Sequence, residues 1–228
     1  MLLMRLSGHS GAGKSRLTAA LPKHGITVPR CVLYTSRPAR DGEVHGKDYY
    51  FLSKSAIAAL PAWDFYVGPV REMLQAVDLN QLELDLKSNK LVLIEIFADL
   101  WPGLIRKLNE RMKDVPNASV FMTAIDPQAV LSLPDEKSRA QFIQDEVEKI
   151  LLHRAKDEAG KIKSRAKSAV SEVLTAIGPQ GQELYSNVFH SAPEGPDSND
   201  DWTREAEPIG KAKQVLDEFI AFFNSVQR

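Results

Sequence analysis

The chain has 228 residues, 43 % of them hydrophobic and 26 % charged, the composition of an ordinary folded protein that can bury a full core. Lys and Arg number 29 against 30 Asp and Glu, a formal net charge of −1, which excludes a global basic field for nucleic acid or an anionic membrane surface. The single cysteine, Cys31, excludes an intramolecular disulfide and a cysteine metal cluster, and it fits a reducing compartment, the cytoplasm.

The first apolar run, Leu2 to Leu6, reads as a buried strand and stops at Gly8, far short of a signal peptide's apolar region or a membrane span. Gly8-His9-Ser10-Gly11-Ala12-Gly13-Lys14-Ser15 follows and fits the pattern G-x-x-x-x-G-K-[ST]. Glycines let such a loop curl until its N–H groups converge on phosphate oxygens, and a helix opening at Lys14 points its positive dipole end there. Lys14 is then expected to reach the β and γ oxygens of a nucleoside triphosphate, with Ser15 ligating magnesium and Gly8, Ser10, Gly11, Ala12, Gly13 and Arg16 completing the binding segment. His9 contributes mainly backbone on this reading.

Helix-period segments at Lys14 to Leu21, Trp101 to Met112 and Gln141 to His153 alternate with apolar runs at Val28 to Leu33, Leu91 to Ile96, Ser119 to Ala124 and Asn187 to His190. That alternation predicts a three-layer α/β fold with a parallel sheet. Glu43 to Phe51 has a different texture and predicts short, half-exposed antiparallel strands, after which Ser53 or Ser55 caps a helix running to about Leu60. Ala192 to Pro208 reads as an exposed loop, and Ile209 to Val226 as a core-packing helix with Ala212, Val215, Leu216, Phe219, Ile220 and Phe223 on one face.

Thr35-Ser36-Arg37-Pro38-Ala39-Arg40-Asp41-Gly42-Glu43-Val44, with Gly46 and Tyr49 beyond it, carries two arginines able to face one phosphomonoester. The passage resembles the T-T-R-x-P-R-x-G-E-x-x-G-x-x-Y segment of the guanylate kinase family. The resemblance implies that Arg37, Arg40 and Tyr49 hold the phosphate of an acceptor nucleotide. It also sets Glu95, near the end of the Leu91 to Ile96 strand, at the first acidic position of the family's D-I-D sequence, where a carboxylate organises magnesium; Phe97 stands at the second. Arg154 and Arg165 are eleven positions apart, as are the family's lid arginine and the arginine of the next helix, so the resemblance makes them catalytic partners of Lys14, with Lys156, Lys161 and Lys163 adding local positive field.

Several family positions differ. Leu33 stands where the family has a serine, Ile150 where it has a second lid arginine, and Gln75-Ala76-Val77 where it has Y-G-[ST]; Glu72 is the candidate base-reading glutamate if Tyr66 to Leu74 is a shortened family loop. The resemblance implies a P-loop kinase core (1–32, 90–150 and 166–228), a small acceptor-binding region (33–89) and a helical lid (151–165) in a single domain. The activity implied is ATP-dependent nucleoside monophosphate kinase, most simply ATP and GMP or dGMP to ADP and GDP or dGDP with magnesium, with closure over the substrates and with no nucleic acid or membrane partner. A related kinase acting on another nucleotide or a sugar phosphate, and a non-catalytic interaction module on the same fold, are the alternatives.

Overall fold

The computed structural model describes residues 1–26, 29–89, 91–153, 159–191 and 208–226. In chain order it runs β1 (Leu2–Gly8), α1 (Lys14–Ala20), a 3-10 turn (Leu21–His24), β2 (Arg30–Cys31), β3 (Tyr34–Thr35), β4 (Tyr50–Phe51), α2 (Lys54–Ala58), β5 (Phe65–Val70), β6 (Met73–Asp78), α3 (Leu79–Ser88) and β7 (Leu91–Ile94). A second 3-10 turn (Ala98–Leu100) leads into α4 (Trp101–Arg111), then β8 (Asn117–Thr123), α5 (Pro127–Leu131), α6 (Glu136–His153), α7 (Ala159–Ile177), α8 (Pro179–Leu184), β9 (Asn187–His190) and α9 (Gly210–Val226). The chain forms two compact units: Met1–Arg5 with Val28–Ala118, and Leu6–Thr27 with Ser119–Arg228.

In the first unit β7 lies between β2 and β1, all parallel, with Leu2 to Arg5 paired to Leu91 to Ile94. Both β1 and β7 are apolar runs buried along their length, as a strand covered on both faces must be. Arg5 is the exception in β1: fully buried, it sets its guanidinium 5.0 Å from the centre of the Trp101 ring. A second sheet in this unit has the order β4-β3-β6-β5. Asp78 starts α3 by accepting from Gln81 N at 3.0 Å, and Leu79, Leu82 and Leu86 then recur at helical spacing on the buried face. The Arg111 guanidinium donates to Glu83 and to the Asn80 side-chain oxygen, both on α3, which ties α3 to the end of α4.

In the second unit β8 and β9 are parallel, Val120 to Thr123 against Asn187 to His190. Ser119 is stitched to the α8–β9 junction, its N–H donating to Ser186 Oγ and its hydroxyl to Leu184 O. Asp126 caps α5 and Asp135 caps the start of α6, which begins five residues before the periodic stretch at Gln141. α6 packs on α7, and α9 buries Ala212, Val215, Leu216, Phe219 and Phe223 while Ile220 is half-buried.

Two local expectations are corrected. β4 pairs with β3 in parallel, Tyr34 beside Tyr50 and Thr35 beside Phe51, because the long connection from Ser36 to Tyr49 brings the chain round in the same direction. The antiparallel pairing lies further on: Tyr66 to Leu74 is a hairpin rather than a loop, with β5 and β6 joined through Arg71-Glu72 and Arg71 at φ 58°. The expected strand at Val28 to Leu33 is confined to Arg30–Cys31 among the described residues, while the expected loop at 192–208 lies almost wholly outside them.

Candidate functional site

The glycine-rich loop belongs to the second unit. Gly8, Gly11 and Gly13 have φ of 148°, 93° and 87°, a backbone that residues with a Cβ resist. At Gly8 the reason is also space, since a Cβ there would sit 2.2 Å from Met122 O of β8. The N–H of Ala12 donates to His9 O at 3.3 Å, closing the loop on itself, and α1 opens with the N–H groups of Arg16 and Leu17 donating to Gly13 O. The Lys14 ammonium turns back across the loop to Gly8 O and to His9 O, the latter at 3.0 Å. Ser15 and Arg16 are exposed on the first turn of α1.

His9 has a larger part than its sequence position suggested. It is fully buried; Ala124 N donates to its Nε2 at 3.0 Å, so Nδ1 carries the ring proton and donates to Ser10 O at 2.8 Å. The Thr123 hydroxyl stands 3.3 Å from Nε2. Burial pushes the imidazole from 6.5 down to about 4; the Ser10 carbonyl opposes that shift and the Lys14 charge adds to it. A neutral, oriented imidazole thus pins the phosphate loop to the end of β8. No pattern in the sequence signals this, because the partner is a backbone N–H over a hundred residues away.

The arginine-rich segment belongs to the first unit. It is fastened to β6 by Ser36 N donating to Leu74 O and Leu74 N donating to Ser36 Oγ, both at 2.9 Å. Gly42 and Gly46, at φ 81° and 80°, turn the chain so that Glu43 comes back to Arg37. The two make a bidentate pair, Nη1 to Oε2 and Nη2 to Oε1 each 2.6 Å, and Glu43 Oε2 also accepts from Arg40 N at 2.8 Å. The Arg37 guanidinium lies 4.9 Å from the centre of the Tyr49 ring and 5.4 Å from that of Phe51. Burial acts to raise the Glu43 carboxyl, but the Arg37 guanidinium and the Arg40 N–H outweigh it and hold the group below the usual carboxylate range. Glu43 therefore takes the Arg37 guanidinium and the Arg40 N–H together, and Tyr49 joins this arrangement through the Arg37 guanidinium.

The remaining candidates are more dispersed. Glu72 is exposed at the hairpin turn, where its carbonyl accepts from Lys54 Nζ at 3.0 Å. Glu95 is half-buried just past the end of β7, with Oε1 inaccessible to water. Arg165 is half-buried on α7, Lys161 and Lys163 are exposed there, and Arg154 and Lys156 lie outside the described residues. Among the described residues no three His, Cys, Asp or Glu side chains are grouped to hold a metal. The Ser15 hydroxyl and the Glu95 carboxylate are each the hard oxygen donor magnesium takes, and that ion keeps waters and phosphate oxygens as its other ligands instead of an all-protein cage.

A glycine-rich phosphate loop between the first strand and first helix of a parallel-stranded α/β chain defines the class, a P-loop protein. The chain belongs to the guanylate kinase family. It is 30 % identical over 176 residues to the guanylate kinase of Blochmanniella floridana, a match covering 75 % of this chain and 73 % of that one. The family model described as guanylate kinase matches residues 2–75. The guanylate kinase of Lactobacillus delbrueckii subsp. bulgaricus is 36 % identical over 131 residues, and this match takes in 49 % of the present chain and 64 % of the relative, just under two thirds of its length. In fold, the chain is similar to the crystal structure of guanylate kinase from Anaplasma phagocytophilum, with a TM-score of 0.54 at 20 % identity over 99 % of this chain and 86 % of that one. No helix among the described residues is long and apolar enough to cross a membrane.

Proposed function

We propose that the chain is an ATP-dependent nucleoside monophosphate kinase that transfers the γ-phosphoryl group of ATP to GMP or dGMP with magnesium, in the cytoplasm. The observation that carries this is the Arg37 guanidinium held by Glu43 and set against the Tyr49 ring, with the Arg40 N–H on the same carboxylate, in a chain that also has Lys14 and Ser15 on a glycine-rich loop. An arginine held in this way meets a phosphomonoester with less entropy left to lose. On this reading the acceptor oxygen is already anionic and needs no strong general base, so rate comes from positioning and charge neutralisation. Lys14 holds the transferring phosphate, Arg154 and Arg165 screen its developing charge, and Ser15 and Glu95 organise the magnesium shell.

A second reading, a different acceptor on the same machinery, is favoured by Leu33, Val77 and Phe97, three apolar residues at positions where the family carries polar groups. An apolar wall discriminates far less between bases than a hydrogen-bonding one. Release of ADP from ATP and magnesium, measured with each nucleoside monophosphate and with sugar phosphates in turn, separates the two. Selective stimulation by GMP or dGMP supports the first reading; equal or stronger stimulation by another acceptor replaces it with the second.

A further inference from the structure

Gln75 is only 7 % exposed, and its Oε1 is buried without a hydrogen-bond partner among the described residues. A buried carboxamide oxygen left unpaired is costly, so such a group is a natural acceptor for a donor that a ligand brings. The sheet register shows where it points. Phe51 pairs with Thr35, Thr35 with Gln75, and Gln75 with Gly68, so the four residues form one row across β4, β3, β6 and β5 and share a face. The Arg37 guanidinium lies over Phe51 and Tyr49 at the β4 end of that row. At the other end Leu100 fills the space that the missing Gly68 side chain leaves; a Cβ there would come within 2.3 Å of Leu100 Cδ2. The row thus has the Arg37–Glu43 ion pair at one end and an apolar residue at the other, with a buried amide oxygen that has no partner among the described residues between them.

From β4 to β6 is two inter-strand spacings, roughly 10 Å. A nucleoside monophosphate spans a similar distance from its phosphate to the far edge of its base. We infer that the Gln75 carboxamide reads the base of the acceptor nucleotide, pairing through one donor and one acceptor with a base edge that offers the complementary couple. This rests on the acceptor reading above, with the phosphate at Arg37 and Arg40. A carboxamide is neutral and carries both hydrogen-bond roles, whichever way it is turned, so it suits a base edge better than a phosphate already served by arginines. It also supplies polarity on a face where Leu33 and Val77 supply none.

The test is steady-state kinetics over a panel of nucleoside monophosphates, with thermal unfolding, for the wild type, Gln75→Leu and Gln75→Glu. Gln75→Leu is expected to keep or raise Tm, to leave the KM for ATP unchanged, and to lower kcat/KM for the preferred acceptor about 10- to 100-fold, mostly through KM. Gln75→Glu offers only acceptor oxygens and is expected to shift preference toward guanine, whose ring N–H and exocyclic amino group are adjacent donors. A lowered Tm in Gln75→Leu would show that the amide is structural and overturn the inference, as would an unchanged acceptor ranking and KM in both variants. A wild type that no nucleoside monophosphate stimulates defeats the kinase reading and this one with it. A responsive wild type with indifferent variants defeats only this one.

Discussion

Lys14 folds onto the carbonyls of Gly8 and His9, so binding a triphosphate exchanges two neutral acceptors for charged ones, and charge-assisted bonds are the stronger. Lys14→Ala is therefore expected to fold normally and to lose about 10²–10³-fold or more in kcat. His9 sets a pH dependence of stability. Its folded-state pKa is lowered from 6.5 to about 4, so the unfolded chain binds the proton more readily. Stability is fully present above about pH 6.5 and is lost as pH falls toward 4, by up to about 3 kcal/mol from this group. Denaturant titrations of the wild type and His9→Gln across that range check this: the wild type should lose more stability on acidification than the variant. At the arginine-rich segment, Glu43 holds the Arg37 fork against the Tyr49 and Phe51 rings. Glu43→Gln keeps the shape but weakens the hold, and the KM for the acceptor should rise about tenfold with the KM for ATP unmoved, a change on the scale of one charged hydrogen bond.

The elements differ in how plainly the sequence announces them. β1, α4, β9 and α9 stand where hydrophobic periodicity sets them, because each is one apolar run or stripe between polar ends. The β5–β6 hairpin was hidden for three physical reasons. Its two-residue turn is Arg71-Glu72, not an Asn-Gly or Gly-led pair, and Arg71 adopts positive φ without glycine's freedom. Gly68-Pro69 inside β5 reads as a breaker, yet β5 is an edge strand, where a proline can sit without cutting a ladder between two neighbours. The α7–α8 junction depends on a glycine for space alone: a Cβ on Gly181 would lie 1.9 Å from Ala176 O. Backbone cannot yield there as a side chain would. Gly181→Ala should lower stability by about 2 kcal/mol, visible as a reduced denaturation midpoint with an unchanged slope.

At the scale of the whole molecule, the glycine-rich loop lies in one compact unit and the arginine-rich segment in the other. Both were legible in the sequence because each packs its chemistry into fifteen or so consecutive residues with glycines at fixed offsets. His9, Glu43 and Gln75 were not read as site residues. Ala124 and Met122 behind the loop and the Phe51–Thr35–Gln75–Gly68 row come together from segments far apart in the chain, and Glu43 reaches Arg37 through the turns at Gly42 and Gly46; one sequence displays neither. Family membership makes phosphoryl transfer the central claim, and the fate of the γ-phosphoryl group decides it. With γ-labelled ATP, magnesium and GMP, the label is predicted to appear in GDP, equal in amount to the ADP formed, and to vanish in Lys14→Ala and fall sharply in Arg40→Ala. Label released only as inorganic phosphate, or ATP bound and never turned over with any nucleoside monophosphate, would contradict it.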